Sequence, residues 1–363
     1  MCAASTPFVR LLRRLSLPFL FFGSSVAHAG QAAQIPATSS ELYGAWCAKC
    51  HAENGSGRVA VQTVKVPPRD FTDCRLATPE PDADWELVTA QGGPPAGMSS
   101  EMPAYGQLLD TDRIRGLVAH LRTFCTESGW PSGNLNFPRA IFTEKAFPEN
   151  EVVILPAVSH KDGEPTGFTL KSVYERRFGR RAHGEIGVPI ESVAADRRDT
   201  GLGDISVAGK YVLHTNRATT SIVTAGLEVV LPTGTAGRSF GSGTTVFEPY
   251  LASGMALGRT VVQGQLKYEF PASDFWAERE AVYNLYVGHT LDDRPSAWTF
   301  GIELNGIETD VAMTPQARKA LTRTGALAAA GGVRIPLNNR SNQPVRYVGY
   351  MLWEYLDPVR PRR

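Results

Sequence analysis

Between Glu151 and Tyr355 the chain repeats one pattern: stretches of about ten residues in which apolar and polar side chains alternate, each closed by turn residues. In the clearest, Val262, Gly264, Leu266, Tyr268 and Phe270 form one face and Gln263, Gln265, Lys267 and Glu269 the other. Trp298, Phe300, Ile302 and Leu304 alternate with Thr299, Gly301, Glu303 and Asn305, and similar runs span Ile205–Leu213, Val223–Leu231 and Val345–Tyr355. Gly and Pro mark the turns, as in Thr233-Gly234, Gly241-Ser242-Gly243 and Asp292-Asp293-Arg294-Pro295. Side chains on a strand point alternately to its two faces, so this period demands a sheet with one apolar face. About ten segments are clear, with one or two weaker ones near 151–159 and 316–336.

No apolar run reaches the 18 residues of a transmembrane helix. Two architectures then remain. A soluble sandwich or barrel turns its apolar face inward, whereas a transmembrane barrel turns it toward lipid. Three features favour the membrane: the strand length, the aromatics that end the apolar faces (Tyr268, Phe270, Trp298, Trp353, Tyr355), and an export signal. Residues 1–29 have the order of a signal peptide: Arg10, Arg13 and Arg14, an apolar stretch from Leu15 to Val26, then Ala27-His28-Ala29. The expectation for 150–363 is an antiparallel transmembrane β-barrel of about 10–12 strands. Leu266, Phe300 and Leu304 should face lipid and Gln265 and Glu303 the lumen, where a polar exchange should be mild for folding. A net charge of +1 shows no basic excess, so nucleic acid is not an expected partner.

Ahead of the strands lies Cys47-Ala48-Lys49-Cys50-His51, the attachment pattern of c-type haem. One helical turn sets two thiols at the spacing of the haem vinyl groups and aims the next residue's imidazole at the iron. A thioredoxin-like CxxC needs a βαβ context, and zinc needs a second Cys/His pair; neither is present. One covalently attached haem c is the expected cofactor, with Cys47, Cys50 and His51 as its residues. Ser39 or Ser40 is expected to cap the helix carrying the motif, and Asp110 or Thr111 a later helix with Ile114, Leu117, Val118 and Leu121 inward. Cys74 and Cys125 form either a disulfide, favoured by the exported compartment, or two buried thiols.

Residues 39–125 resemble a class I (monohaem) cytochrome c domain: CxxCH on a first helix, a Met-Pro loop, then a last helix. The resemblance implies a distal methionine. Met102, followed by Pro103, fits it better than Met98, because proline restrains the preceding backbone to an extended form. A methionine there fills the sixth position and favours reduced iron, which suits an electron carrier more than a catalyst. His120 is the remaining alternative ligand. Gly203–Val207 and Leu227–Thr233 resemble bacterial outer-membrane channels grouped with phenol-degradation transport proteins, although the ending Leu356–Arg363 departs from the usual terminal aromatic. The layout is similar to that of cytochrome–porin fusions.

The expected fold class is therefore multidomain, an all-α class I cytochrome c domain followed by the barrel. Its parts are a signal peptide (1–29), the cytochrome domain (30–126), a linker rich in Gly and Pro (127–149) and the barrel (150–363). Barrels with an even strand number keep both termini in the periplasm, which places the haem there. Three readings follow. In the first, the haem exchanges electrons with periplasmic electron-transfer proteins while the barrel anchors it in outer-membrane lipid. In the second, the barrel is a channel for a small molecule with an accessory cytochrome. In the third, the chain is a soluble periplasmic oxidoreductase. His160, His183, His214 and His289 are scattered and read as strand or loop polar residues.

Overall fold

In a computed structural model, residues 35–59, 64–194, 198–235 and 240–355 are described. The expected signal peptide and the chain end after Tyr355 fall outside them. Thirteen strands occur among these residues: β1 (Glu151–His160), β2 (Thr166–Phe178), β3 (Ala182–Ala194), β4 (Arg198–Leu202), β5 (Ile205–Asn216), β6 (Ser221–Leu231), β7 (Val246–Leu257), β8 (Thr260–Pro271), β9 (Glu280–Thr290), β10 (Trp298–Ile307), β11 (Asp310–Ala320), β12 (Leu327–Pro336) and β13 (Val345–Glu354). All pairings are antiparallel. β1 pairs with both β2 and β13, and β2 with β3, so the sheet closes on itself. β5 is the next wall strand after β3, and short β4 lies on the end of β3. The barrel thus has twelve strands.

The period-two pattern has the sense that lipid requires. Leu266 is 64% exposed, Phe300 49% and Leu304 41%, whereas Gln265 and Glu303 are buried. Val207, Tyr211, Leu227, Leu251, Leu285, Ile302, Tyr347 and Met351 are also exposed, and Glu151, Glu175, Gln263, Asn305 and Thr314 are inside. A soluble monomer does not expose an apolar belt of this extent. An outward apolar face around a polar interior is that of an outer-membrane barrel, which removes the soluble reading. At one end the connections run from two to seven residues (258–259 to 291–297), and at the other from two to fourteen (308–309 to 232–245). β1 begins and β13 ends at the first of these two ends.

The expected all-α cytochrome c domain is not what the chain forms, and this part of the fold class is corrected. From Ala37 onward the chain is one compact unit. Its helices are few and short: α1 (Ser39–Trp46), α2 (Ala48–His51), α3 (Cys74–Ala77), α4 (Asp82–Gln91) and α5 (Thr111–Arg122). Local signals did produce helices. Thr38 caps α1 in a reciprocal box with Glu41, one residue before the expected serines, because Glu41 stands three residues after it. Asp110 caps α5 through Arg113 N at 2.8 Å, and Ile114, Leu117, Val118 and Leu121 are buried. The longest helix nevertheless has only 12 residues, and loops make up much of the rest. What results is a helical cap at the mouth where β1 begins and β13 ends. Arg177 of β2 donates to Arg75 O at 3.0 Å, Arg180 to Ser128 O at 2.9 Å, and Arg323 to Gln91 Oε1 at 2.9 Å.

The stretch 127–149 does connect the cap to β1, and it does so through the barrel. Leu135, Phe137, Ala140, Ala146 and Phe147 pack on Val212, Ile222, Tyr250, Ala252, Val261 and Tyr286 of the wall. Ile141 packs on Val153, Val173, Tyr350 and Leu352. A segment without strand pairing must satisfy its backbone elsewhere, and wall side chains do this. Gln263 Nε2 donates to Pro138 O (2.8 Å), Tyr350 OH to Arg139 O (2.7 Å), Thr224 Oγ1 to Ala146 O (2.6 Å) and Lys210 Nζ to Lys145 O (2.6 Å). The lumen carries a folded plug.

Candidate functional site: the cavity under the cap

α1 stops at Trp46, and Cys47 serves both as its C-cap and as the N-cap of α2, which ends at His51. Both thiols and the imidazole therefore sit on one turn. Cys74 and Cys125 are joined by a disulfide, so Cys47 and Cys50 are the free pair. The turn is held from several sides. Tyr43 OH donates to Ala52 O at 2.6 Å, Gly57 N to His51 O at 2.8 Å, and Tyr105 OH to Trp46 O at 3.2 Å. The His51 ring stacks on Phe71, with centroids 4.6 Å apart and 16° between planes. Burial lowers the His51 pKa, keeping the imidazole in its neutral, ligating form, and its Nδ1 has no hydrogen-bond partner.

The methionine loop lines the same cavity as this turn. Gly93 N donates to Met102 O (3.1 Å) and Met98 N to Gly93 O (2.9 Å), folding residues 93–102 back on the end of α4. A Cβ at Gly93 would lie 2.1 Å from Ser99 O, so only glycine permits this closure. Cys47, Cys50, His51, Met98 and Met102 all line one cavity of about 1920 Å³, walled by Trp46, Phe71, Trp85, Leu117 and Leu121. Arg58, paired with Asp70 (3.9 Å), Arg69, and Arg75, paired with Asp73 (3.4 Å), line it as well. His120 is not among the lining residues; it packs on Tyr43 and Phe124.

The cavity continues to the barrel mouth, where Glu80, Asp84, Trp130, Asn136, Glu149 and Glu354 line it. Burial first, then the charges of Glu80 and Glu354, push the Asp84 carboxyl up to about 8 against the pull of Arg122. Inside the lumen is a feature that pattern reading missed. Glu354 opposes Glu151, Glu151 opposes Glu175, and Glu175 opposes Glu185; further round the wall Glu228 opposes Glu248, and Glu269 opposes Glu280. Like charges directly across strands are destabilising, and cations compensate them. Arg139 reaches Glu175 (2.7 Å) and Glu151 (3.4 Å), Lys145 reaches Glu149 and Glu151 (2.9 Å), and Lys171 reaches Glu228 (3.5 Å). Each glutamate is visible in the sequence, but their alignment depends on register, which is not.

His183 is a strand residue, as expected, but a buried one. Its Nδ1 accepts from Glu149 N at 3.0 Å, and its Nε2 lies 3.5 Å from Glu175 and 3.7 Å from Glu185. Because Nδ1 accepts, the neutral ring carries its proton on Nε2. This Glu–His–Glu group therefore offers no imidazole lone pair to an ion there.

The family described as "Putative MetA-pathway of phenol degradation" matches residues 165–341, from the start of β2 to the connection after β12. No curated protein matches the sequence. Among solved structures, the KdgM porin in complex with disordered oligogalacturonate is similar at 12% identity over 56% of this chain and 99% of its own, with a TM-score of 0.40. The NanC porin is similar at 10% identity over 56% of this chain and 100% of its own, with a TM-score of 0.40. Likenesses this shallow carry no argument about cargo.

Proposed function

We propose that this outer-membrane barrel carries one covalently attached haem c under its cap and exchanges electrons with periplasmic electron-transfer proteins. One observation carries the reading: two free thiols and a neutral imidazole on a single turn share one aromatic-walled cavity with a methionine loop. The donor set fits the group. Cys47 and Cys50 would hold it by thioethers, His51 would be the proximal ligand and Met102 the distal one, with Met98 as competitor. Arg58, Arg69 and Arg75 suit the anionic edge of a haem. Bound there, the iron would supply reversible one-electron chemistry. The protein's part is to bury the group, exclude water with Phe71 and Trp85, and keep His51 unprotonated. Anchoring on the periplasmic side is supported by the shorter average connections at the mouth where β1 begins and β13 ends.

Haem staining of the mature protein after denaturing electrophoresis tests this, with colour that solvent extraction does not remove as the expected result. Met102→Ala should abolish the weak near-infrared band of methionine ligation, and Met98→Ala should leave it. A colourless protein from a strain competent in haem attachment refutes the reading.

The second reading, a channel for a small molecule, is supported by the family match, which covers barrel strands and not the cap. It requires the plug to move, so planar-bilayer conductance that rises when the plug is released is its test.

A further inference from the structure

The acidic residues that oppose one another across the lumen strands have cations beside them, Arg139, Lys145, Lys171 and Lys267. One basic pair has no such relief. Arg334 on β12 stands directly opposite Arg346 on β13. Counting by twos from buried Ala328, Tyr350 and Leu352 puts both on the lumen face. Residues opposed in this way have Cα atoms about 4.5–5.5 Å apart, so the two guanidiniums share one patch of wall and repel.

Among the described residues neither arginine makes an ion pair. Arg334, only 6% exposed, donates from Nη2 to the neutral Gln343 Oε1 at 3.1 Å. Asp310, whose charge reaches Arg334, is bonded to Asn339 Nδ2 instead. Arg346 is exposed, with Ser159 of β1 opposite it on its other side. A guanidinium has several donors and keeps its charge throughout the neutral range, so the pair presents a fixed positive patch with donors to spare.

The wall next to the pair selects the anion. Toward the cap, the next lumen-facing residues are Gly332 and Val348, and Val348 opposes Ala157, with Leu155 beyond it. A Cβ at Gly332 would lie 3.0 Å from Ile141 Cδ1, so the plug reaches this level. Two residues of strand, about 7 Å, separate that level from the arginines. An oxyanion held by the pair therefore has an apolar shelf of Val348, Ala157 and Leu155 on its plug side. Inorganic phosphate gains nothing from such a shelf, whereas an organic acid covers it. We infer that this wall is a binding site for a small organic carboxylate, seated in the lumen above the plug. Arg334 and Arg346 donate to its carboxylate oxygens, the arrangement guanidinium geometry favours, and its apolar body lies along the shelf. The inference goes beyond the haem reading and is independent of it, since haem staining is read separately from binding.

The test is calorimetric titration of the full-length mature protein in detergent, at fixed ionic strength, with benzoate, its neutral analogue benzyl alcohol, and inorganic phosphate. Benzoate should bind one to one, with each of the other two about tenfold weaker or worse, at ~1.4 kcal/mol per decade. Arg346→Gln, which also relieves the repulsion, should weaken benzoate about tenfold and leave benzyl alcohol unchanged. Arg334→Gln should act in the same direction, so the test stands where one of the two variants does not fold. Arg294→Gln, on a turn at the other mouth, should leave benzoate unchanged. No binding of benzoate, benzyl alcohol or phosphate binding as tightly, affinity indifferent to the substitution at Arg346 or Arg334, or an equal loss in Arg294→Gln overturns the inference.

Discussion

Glu303→Gln should undock the plug while leaving the barrel closed. Glu303 is fully buried on β10 and accepts from three consecutive plug amides: Ile141 N (3.1 Å), Phe142 N (3.1 and 3.2 Å) and Thr143 N (2.7 Å). Thr143 Oγ1 and Gln316 Nε2 donate to it as well, both at 2.7 Å. Glutamine keeps the volume but turns one acceptor oxygen into an NH2 that faces donors. Each buried donor left unmet costs about 1–3 kcal/mol. Whichever oxygen is replaced, one backbone amide and one side-chain donor lose their acceptor (Thr143 N with its Oγ1, or Ile141 N with Gln316 Nε2), which gives ~2–6 kcal/mol, and the loss is local because the barrel ladder does not pass through this side chain. Opening of the plug should become about 30- to 10⁴-fold more frequent at ~1.4 kcal/mol per decade. Hydrogen exchange read by mass spectrometry at amides 141–143 measures it directly, and planar-bilayer conductance should rise in parallel. If those amides exchange at the wild-type rate in a folded Glu303→Gln barrel, the plug is not held as described.

Two further outcomes follow from the same geometry. A lysine at Leu266 or Phe300 should destabilise the barrel by about 2–4 kcal/mol near the bilayer midplane, measured by reversible denaturation from lipid vesicles; a cost no greater than that of alanine at the same site would put those residues outside the hydrocarbon. Asp84 gives a pH dependence. Its folded-state carboxyl holds its proton up to about 8 against an ordinary 3.8, raised first by burial and then by Glu80 and Glu354, with Arg122 opposing, so folding takes up a proton between these values. That contribution is complete below about pH 4 and is lost as pH rises through 8, with an upper bound near ~6 kcal/mol at ~1.4 kcal/mol per pH unit. Denaturant titration of the cap, followed by tryptophan fluorescence, should show this decline, and Asp84→Asn should flatten it; an unchanged slope in the variant refutes the assignment.

That Leu266 and Gln265 stand on opposite faces is a local property, because successive side chains alternate. Which of the two points outward is not, and the closed barrel, with Leu266 exposed and Gln265 buried, decides it. Contacts across the chain are a different matter. Glu303 reads as one more lumen-facing polar residue whose exchange should be mild, yet it clamps amides about 160 positions earlier in sequence, and nothing near it announces this. The plug was hidden by its own chemistry. Pro131, Pro138 and Pro148 lack an N–H, which spares an unpaired backbone one donor whether it runs through water or through a barrel. The composition of a solvated linker and that of a luminal strand-free segment therefore coincide, and only the partners supplied by the wall tell them apart. The same holds for the helices. CxxCH, the Thr38 cap and the α5 stripe each specify a turn or a helix, but independence as a domain depends on how much surface the helices bury among themselves. Here part of that surface is met by the barrel mouth, through Arg75, Gln91 and Ser128, so signals that locate the first helices and the last one still misjudge the body to which they belong.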